Sequence, residues 1–425
     1  MFQNKNQRVK ILSIDFLVFL FMVLFVGKGS SFVSIFTFSL NPIGLSLYFA
    51  AILYLLINST HEPTSQKYKS IIAIFLGWMA LHLVFLDHNF EPYYYFPLIM
   101  HSMAGYGVAR HYGKSIIDYY VKAMAVLSVV SIALWGVQLF GGTSILTSLP
   151  FATSNTSGNS EYSLIIYTIS SYGGVDYLLR NSGCAWEPGL YSVMICIAIV
   201  FRIYQQGGVL KIIDCLMLLF VFTLTTTFST TGYILVMAVF ALTLLLSSKM
   251  GLLRKTVLGV IGIFVFSWVY SLPFISEKIE EKSDVNNFFT ESGEYLQRKE
   301  QFTVDRFEGM FLDLQNIGDK PVVGYGLDNS NSYIYNNISQ LIQTSNGLTK
   351  PMAMYGVVLG LLLLILVFQG FKVISIEKST YAHWIFIVGF IVLSISYDLQ
   401  MNPIIKALQF MALLYTAEKY KSQTA

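Results

Sequence analysis

Charge is what this sequence has least of. Only 12% of its 425 residues are Asp, Glu, Lys or Arg, against 55% hydrophobic, and mean hydropathy is +0.60. A water-soluble chain of this length carries about twice that charge and divides into two or three domains. This one reads as a single membrane-embedded domain over 1–425. A formal charge of +3 is too small to attract nucleic acid. Cysteine is scarce as well: Cys184, Cys196 and Cys215 lie in or beside apolar runs, and their odd number supports no disulfide or metal framework. The signatures of soluble enzymes are missing too, with no HExxH, CxxC, P-loop, GxSxG or acidic DxD metal motif. His61 and His111 fall in inner connections, His82 and His101 within spans; none joins a metal-ligand cluster, and each reads as a satisfied or interfacial histidine. No metal and no other cofactor is expected, and neither internal repeats nor low-complexity segments occur.

What the chain has is long apolar runs. A helix needs about 20 apolar residues to cross the hydrocarbon core, somewhat fewer where flanking groups snorkel. On that criterion about twelve spans are expected, near 11–27, 41–58, 70–86, 95–109, 116–140, 184–201, 210–227, 230–247, 252–272, 350–371, 381–398 and 402–417. The fold class is therefore all-α and polytopic. MFQNKNQRVK leads into the first run with no small-residue cleavage pattern, so an uncleaved first span is expected.

Orientation follows from the lysines and arginines beside the spans. The termini and every second connection are basic: Lys5, Arg8 and Lys10; Lys67 and Lys69; Arg110 and Lys114; Arg202 and Lys211; Lys249, Arg254 and Lys255; Lys372 and Lys378; Lys419 and Lys421. The connections at 87–94, 228–230 and 399–401 contain neither residue type. Both termini are thus expected in the cytoplasm. Two long connections then fall outside. One is 141–183, rich in Ser, Thr, Gly and Asn. The other is 273–349, with twelve of the 24 acidic residues against six Lys and Arg, and a connection of that length is seldom a mere tether. Within it, RKEQFTVDRFEGMFLDLQNIGDKP predicts an amphipathic helix. Phe307, Met310, Phe311, Leu314 and Ile317 share one stripe, expected to pack on the membrane face or on other helices. Gly318 occupies a C-cap position, and Pro321 follows.

Several residues stand out on this outer face, each with two readings. Arg180 and Glu187 sit seven apart in RNSGCAWEPGLYS, which opens a span. Glu187 with Pro188 suits a first helical turn, and Arg180 suits an interfacial cation; ionisable groups at membrane depth also favour function. Asp305-Arg306 rides on the amphipathic helix as a solvated pair or as a ligand contact. Pro321-Val-Val-Gly-Tyr-Gly, with Gly324, Tyr325 and Gly326, is a turn able to offer backbone N–H groups to an anion. The hairpin hydroxyls Ser229, Thr230 and Thr231, with Tyr233, read more readily as caps than as ligands. Asn346 precedes the tenth span, where an ordinary turn explains it.

The order of these features resembles the Wzy-type O-antigen and polysaccharide repeat-unit polymerases, within a superfamily that includes the O-antigen ligases. The resemblance spans about 180–360. It rests on R-x2-G-x3-E-P (Arg180, Gly183, Glu187, Pro188), the S-x-T-G-Y hairpin (Ser229 to Tyr233), and an arginine-bearing loop helix (Arg306). P-x2-G-x-G (Pro321, Gly324, Gly326) and Asn346 ahead of Tyr355-Gly356 complete it. Relatives commonly have Ser-Arg in the hairpin, where this chain has Ser229-Thr230. Ligases and many polymerases place a His beside the late asparagine, where Ser345 stands here, which favours polymerase over ligase. The resemblance implies a GT-C-type helical fold in a bacterial inner membrane. It also implies undecaprenyl-diphosphate-linked oligosaccharide as substrate, membrane lipid as surroundings and a chain-length regulator as partner. Arg180 and Arg306 would neutralise the leaving diphosphate and Glu187 would act as base, with Tyr233, Asp305, Gly324, Tyr325, Gly326 and Asn346 contacting substrate. A lipid-linked oligosaccharide flippase is the competing class. It is disfavoured by the single long loop, since flippases tend toward two similar halves with short loops.

Overall fold

A computed structural model describes residues 13–24, 41–59, 61, 63, 67–85, 95–149, 153–154, 160–164, 166–170, 179–208, 214–246, scattered positions over 251–267, and 306–338, 342, 344, 346–375, 380–399 and 402–415. Asp305, Ser345 and most of the ninth expected span lie outside the described residues.

The described chain is mostly helical. The order begins α1 (Ile14–Leu24), α2 (Asn41–Ile57), α3 (Lys67–Phe85), α4 (Tyr95–Tyr112), α5 (Ile116–Leu139) and the short α6 (Thr143–Thr147). Three strands follow: β1 (Thr153–Ser154), β2 (Ser160–Leu164) and β3 (Tyr167–Ser170). Then come α7 (Pro188–Gln205), α8 (Cys215–Thr226), α9 (Thr230–Leu246), α10 (Arg306–Asp319) and α11 (Tyr333–Asn337). Last are α12 (Lys350–Tyr355), α13 (Val357–Ser375), α14 (Thr380–Ser396) and α15 (Pro403–Leu414). Among the described residues three stretches are long and apolar enough to cross a membrane: Tyr95–Leu139, Pro188–Gln205 and Val357–Ser375. Seven further apolar helices are shorter.

Internal packing divides the chain into two units, each assembled from separate stretches. The first comprises Met1–Glu62, Met103–Gly232 and Asn402–Ala407; the second comprises Pro63–Ser102, Tyr233–Met401 and Leu408–Ala425.

In the first unit α7 is buried almost all round, as a helix apolar on every side must be. It packs on α5 and α8, and α1 packs on α5. Polar atoms buried in this core find partners: the Tyr120 hydroxyl donates to the Met194 carbonyl at 3.1 Å, and the Tyr191 and Ser131 hydroxyls lie 2.8 Å apart. Arg202 closes the other end of α7 with a fork onto Asp214, at 2.8 and 2.6 Å, while Asp214 caps α8 by accepting from the Met217 N–H. The basic connection expected to mark the cytoplasmic side is thus also a neutralised, capped turn.

The first unit holds the main departure from the all-α expectation. The connection 141–183 carries a three-stranded antiparallel sheet in the order β1-β2-β3, with Thr153 opposite Ser163 and Leu164 opposite Tyr167. Its inward residues Leu164, Tyr167 and Ile169 pack with Leu146, Leu134 and Trp135. In sequence only the apolar pair Ile165-Ile166 separates β2 from β3, without the Asn-Gly or Gly signal that marks a two-residue hairpin.

In the second unit Trp78, Tyr95, Leu98, Tyr325, Met354, Tyr355 and Leu359 form one core. His82 is fully buried beside it and is satisfied, as expected of a span histidine. Its Nε2 faces the Val323 carbonyl at 2.8 Å, which can only accept, so Nε2 bears a proton; Nδ1 lies 2.7 Å from the Tyr95 hydroxyl.

Two expectations are corrected in this unit. The tenth span is not continuous: Gly356, at φ 80°, separates α12 from α13. The loop helix is where it was expected, and Ile317 of its apolar stripe packs against the Trp78 core. Leu312, Asp313 and Asn316 are buried, whereas Phe311 and Leu314 are exposed. Asn316 Oδ1 accepts from the Ile334 N–H at 3.2 Å and Asp313 accepts from two hydroxyls, so the inward polar face is satisfied. Gly318 is not a C-cap either, because α10 continues through Asp319 and Gly318 is not among the positive-φ glycines.

Candidate functional site

In the first unit Arg180, Asn181 and Ser192 meet the hairpin between α8 and α9. Arg180 Nε donates to the Thr227 carbonyl at 3.1 Å and Nη2 to the Phe228 carbonyl at 2.9 Å. These are the carbonyls of the α8 C-cap and of the residue after it, where a cation lies near the negative end of the helix dipole. The next residue completes the join. Asn181 donates its N–H to the Thr226 carbonyl at 2.9 Å and its Nδ2 to Thr226 Oγ1 at 2.9 Å, while its Oδ1 accepts from the Gly183 N–H. The hairpin itself is tight: Phe228 has φ 46°, a left-handed conformation uncommon for a bulky residue. Arg180 is therefore a positioned guanidinium, and that placement needs more than lipid snorkelling to explain it.

The two glycines of these motifs are explained by packing. Gly183 has φ 50°, and a Cβ there would overlap the Tyr191 ring. Gly232 leaves space for Ser192, whose Oγ lies 2.9 Å from Ser229 Oγ. Ser229 in turn accepts from the Gly232 N–H at 3.3 Å, the capping role expected of the hairpin hydroxyl.

Glu187 is the N-cap residue of α7, half-buried and in extended conformation, and its carboxylate makes no cap hydrogen bond to the helix it begins. The structural reading of Glu187 as a helix cap is thus only partly met: its charge complements the dipole, while its side-chain oxygens do not hold the first-turn amides.

The second unit holds the loop motifs. Arg306 is the first residue of α10. The turn Gly324-Tyr325-Gly326 was expected to present amides to an anion, and here it does not. Gly324 N–H donates to the Lys320 carbonyl, Tyr325 N–H to Ala353 and Gly326 N–H to Met354, each at 3.0 Å. The break at Gly356 releases the α12 carbonyls that take the last two. A Cβ on Gly324 would overlap the Met354 carbonyl, and one on Gly356 the Val322 carbonyl. The P-x2-G-x-G motif is thus an interlock between two backbones, and its glycines permit close approach. Tyr325 is 2% exposed, so its ring is core and unavailable for stacking on a sugar. Asn346 is fully buried; its Oδ1 accepts from the Leu348 and Thr349 N–H groups and its Nδ2 donates to the Ile395 carbonyl. Its side chain builds the turn into α12, as the ordinary reading held. Tyr233 lies in the first turns of α9, partly buried.

Sequence reasoning missed Asp313. Its side chain is fully buried, with Oδ1 accepting from the Thr344 hydroxyl at 2.6 Å and Oδ2 from the Thr349 hydroxyl at 2.7 Å. Lys350 Nζ donates to the Thr344 carbonyl at 2.7 Å. Burial pushes the Asp313 carboxyl up to about 6, against the pull of the two hydroxyls and Lys350. The only sequence signal was an acid two turns after Arg306 and two threonines spaced five apart beyond the loop, which reads as solvated helix and turn.

Among the described residues no three His, Cys, Asp or Glu side chains gather as metal ligands. No protein-family model and no curated protein sequence matches this chain. The fold defines the class only broadly: a predominantly helical protein whose helices are apolar enough to lie in a membrane.

Proposed function

We propose that this chain joins polyprenyl-diphosphate-linked oligosaccharide repeat units at the outer face of a bacterial cytoplasmic membrane, as the Wzy-type polymerases it resembles do. An acceptor hydroxyl attacks the anomeric carbon of the donor, its proton passes to a base, and the C–O bond to the diphosphate breaks. The leaving group is already activated, so the enzyme has two tasks: to neutralise developing charge and to take one proton.

The observation that carries this reading is Glu187. It stands at the N-terminus of a helix able to cross a membrane, in the matching R-x2-G-x3-E-P motif, and its carboxylate is not used to cap that helix. Glu187 is assigned as the base. Arg180, oriented by the Thr227 and Phe228 carbonyls, is assigned to phosphate charge, for which a planar fork is suited. Arg306 has the same assignment in the second unit. Substrate contacts are not assigned to Gly324, Tyr325, Gly326 or Asn346, whose polar or ring groups are engaged within the fold.

The test is the purified chain in proteoliposomes with a lipid-linked repeat, read as a ladder of product lengths. The wild type should give a ladder and Glu187→Gln only the single repeat. A Glu187→Gln protein that polymerises normally would overturn the base assignment. Long chains passed only to a non-repeat acceptor would identify a ligase, and transbilayer movement without bond formation a flippase.

A further inference from the structure

The buried carboxylate of Asp313 has no part in the chemistry above, yet it lies where two motif-bearing segments of the second unit meet. Its two oxygens each take a hydroxyl, one from Thr344 and one from Thr349. Those threonines flank Asn346, which builds the turn into α12 through Leu348 and Thr349 N–H. The same short segment is fastened to the end of α14 by the Asn346 amide on the Ile395 carbonyl and the Gly347 N–H on the Ser394 carbonyl. Gly347 has no room for a side chain there, since a Cβ would overlap the Tyr397 carbonyl. On the other side of the carboxylate, positions 306 and 313 are seven apart on α10 and so share one side of the helix axis.

We propose that Asp313 is a positioning residue: by holding Thr344 and Thr349 together, its charged carboxylate fixes the helix that begins at Arg306 against the segment leading into Lys350–Tyr355. This rests on the polymerase reading, in which Arg306 carries phosphate charge. The charge matters because both oxygens act as acceptors. A protonated carboxyl turns one of them into a donor, and one threonine must then reorient or let go. The charged and titratable groups facing Asp313 are Lys350, which favours the ionised form, and Asp398 and Tyr325, on other segments packed against it. Burial raises the carboxyl to about 6, so it is charged at neutral pH, and one of its two oxygens ceases to accept once it is protonated below that. A buried carboxylate that costs stability yet is held by two hydroxyls is what a positioning role requires, because an apolar residue would pack there more cheaply.

Two measurements on the full-length protein test this. The first is amide hydrogen exchange of Leu348 and Thr349, corrected for the intrinsic effect of pH. Protection of both amides at neutral pH should be clearly lower in Asp313→Asn than in the wild type. The second is the rate of polymerisation of a polyprenyl-diphosphate-linked repeat from pH 5 to 8. Asp313→Asn should fold as well as the wild type but have a kcat lowered about tenfold at neutral pH, with KM little changed and the acid limb lost. Thr349→Val should resemble it, and Thr349→Ser, which keeps the hydroxyl, should restore the rate. Unchanged exchange in Asp313→Asn would overturn the clamp; altered exchange with wild-type turnover and pH profile would overturn the positioning role. A wild type that forms no polymer would remove the functional reading and the inference with it. The exchange data would then still tell whether the clamp exists, which distinguishes the two failures.

Discussion

Replacing Asp313 by Asn should make the protein more stable at neutral pH relative to acid, and the size of the effect follows from burial. The carboxyl titrates at about 6 in the folded chain, against an ordinary 3.8, chiefly because its surroundings desolvate it. A group whose folded pKa is raised binds more protons in the native state than in the unfolded state between those two values. Stability from this group is therefore fully present below the lower value and is lost as pH rises through the upper one. At about 1.4 kcal/mol per pH unit, the shift corresponds to roughly 3 kcal/mol across the window. The Asp313→Asn protein has no titrating group at this position, so this pH-dependent loss disappears. Against it stands the weakening of one hydroxyl contact, since the amide N–H2 can only donate and a threonine must rotate to accept; that costs about 1 kcal/mol at every pH. The variant should thus match the wild type in stability near pH 4.5 and exceed it by about 2 kcal/mol at pH 7.5. Thermal unfolding in detergent at a series of pH values measures the difference, read as a shift between two proteins at matched scan rate because such transitions are often irreversible. A wild-type-minus-variant difference that stays constant from pH 4.5 to 7.5 would refute the reasoning, since it would mean the carboxyl is not desolvated.

Other outcomes follow from the same geometry. Glu187→Gln breaks no cap hydrogen bond, so the start of α7 should stay intact while polymer formation drops at least about 100-fold. Arg180→Lys loses the fork onto Thr227 and Phe228; both a loss of about 1–3 kcal/mol in unfolding and a strong fall in turnover are expected, and near-normal values for both would mean a lysine serves as well. Gly324→Ala meets an unfavourable φ and the Met354 carbonyl together, so it should destabilise by at least about 2 kcal/mol, measured as a lowered unfolding temperature, whatever its activity. For orientation, a cysteine at the exposed Val322 should react with an impermeant thiol reagent outside spheroplasts, and one at Gly251, beside Lys249 and Arg254, should not. Labelling of both positions would reverse the placement of one of them.

Local pattern in this sequence determined the elements that local physics controls. Apolar runs without charge can only be helices buried in lipid or protein, so the helices at 14–24, 41–57, 95–112, 116–139, 188–205 and 215–226 were legible. So was α10, from its apolar spacing. Hairpin hydroxyls at 229, the proline after Glu187 and the late asparagine were correctly read as helix starts and turns. Which face of α10 turns inward was not local. It depends on Thr344, Thr349 and the Ile334 N–H, some 18 to 36 residues away, whose donors must be satisfied by Asp313 and Asn316. The rule that apolar stripes face inward presumes water outside. The 324–326 turn shows the same limit. Its glycine spacing is equally consistent with an anion nest and with a backbone interlock, and only the carbonyls released at Gly356 decide between them. The sheet at 153–170 was invisible because only two isoleucines separate β2 from β3, and packing on Leu146 and Trp135 holds it rather than turn chemistry. Residue type and spacing thus set where helices form and which groups carry charge. Whether a polar group faces a ligand or another part of the chain is set by partners distant in sequence, because a buried donor or acceptor is satisfied by whatever the fold brings to it.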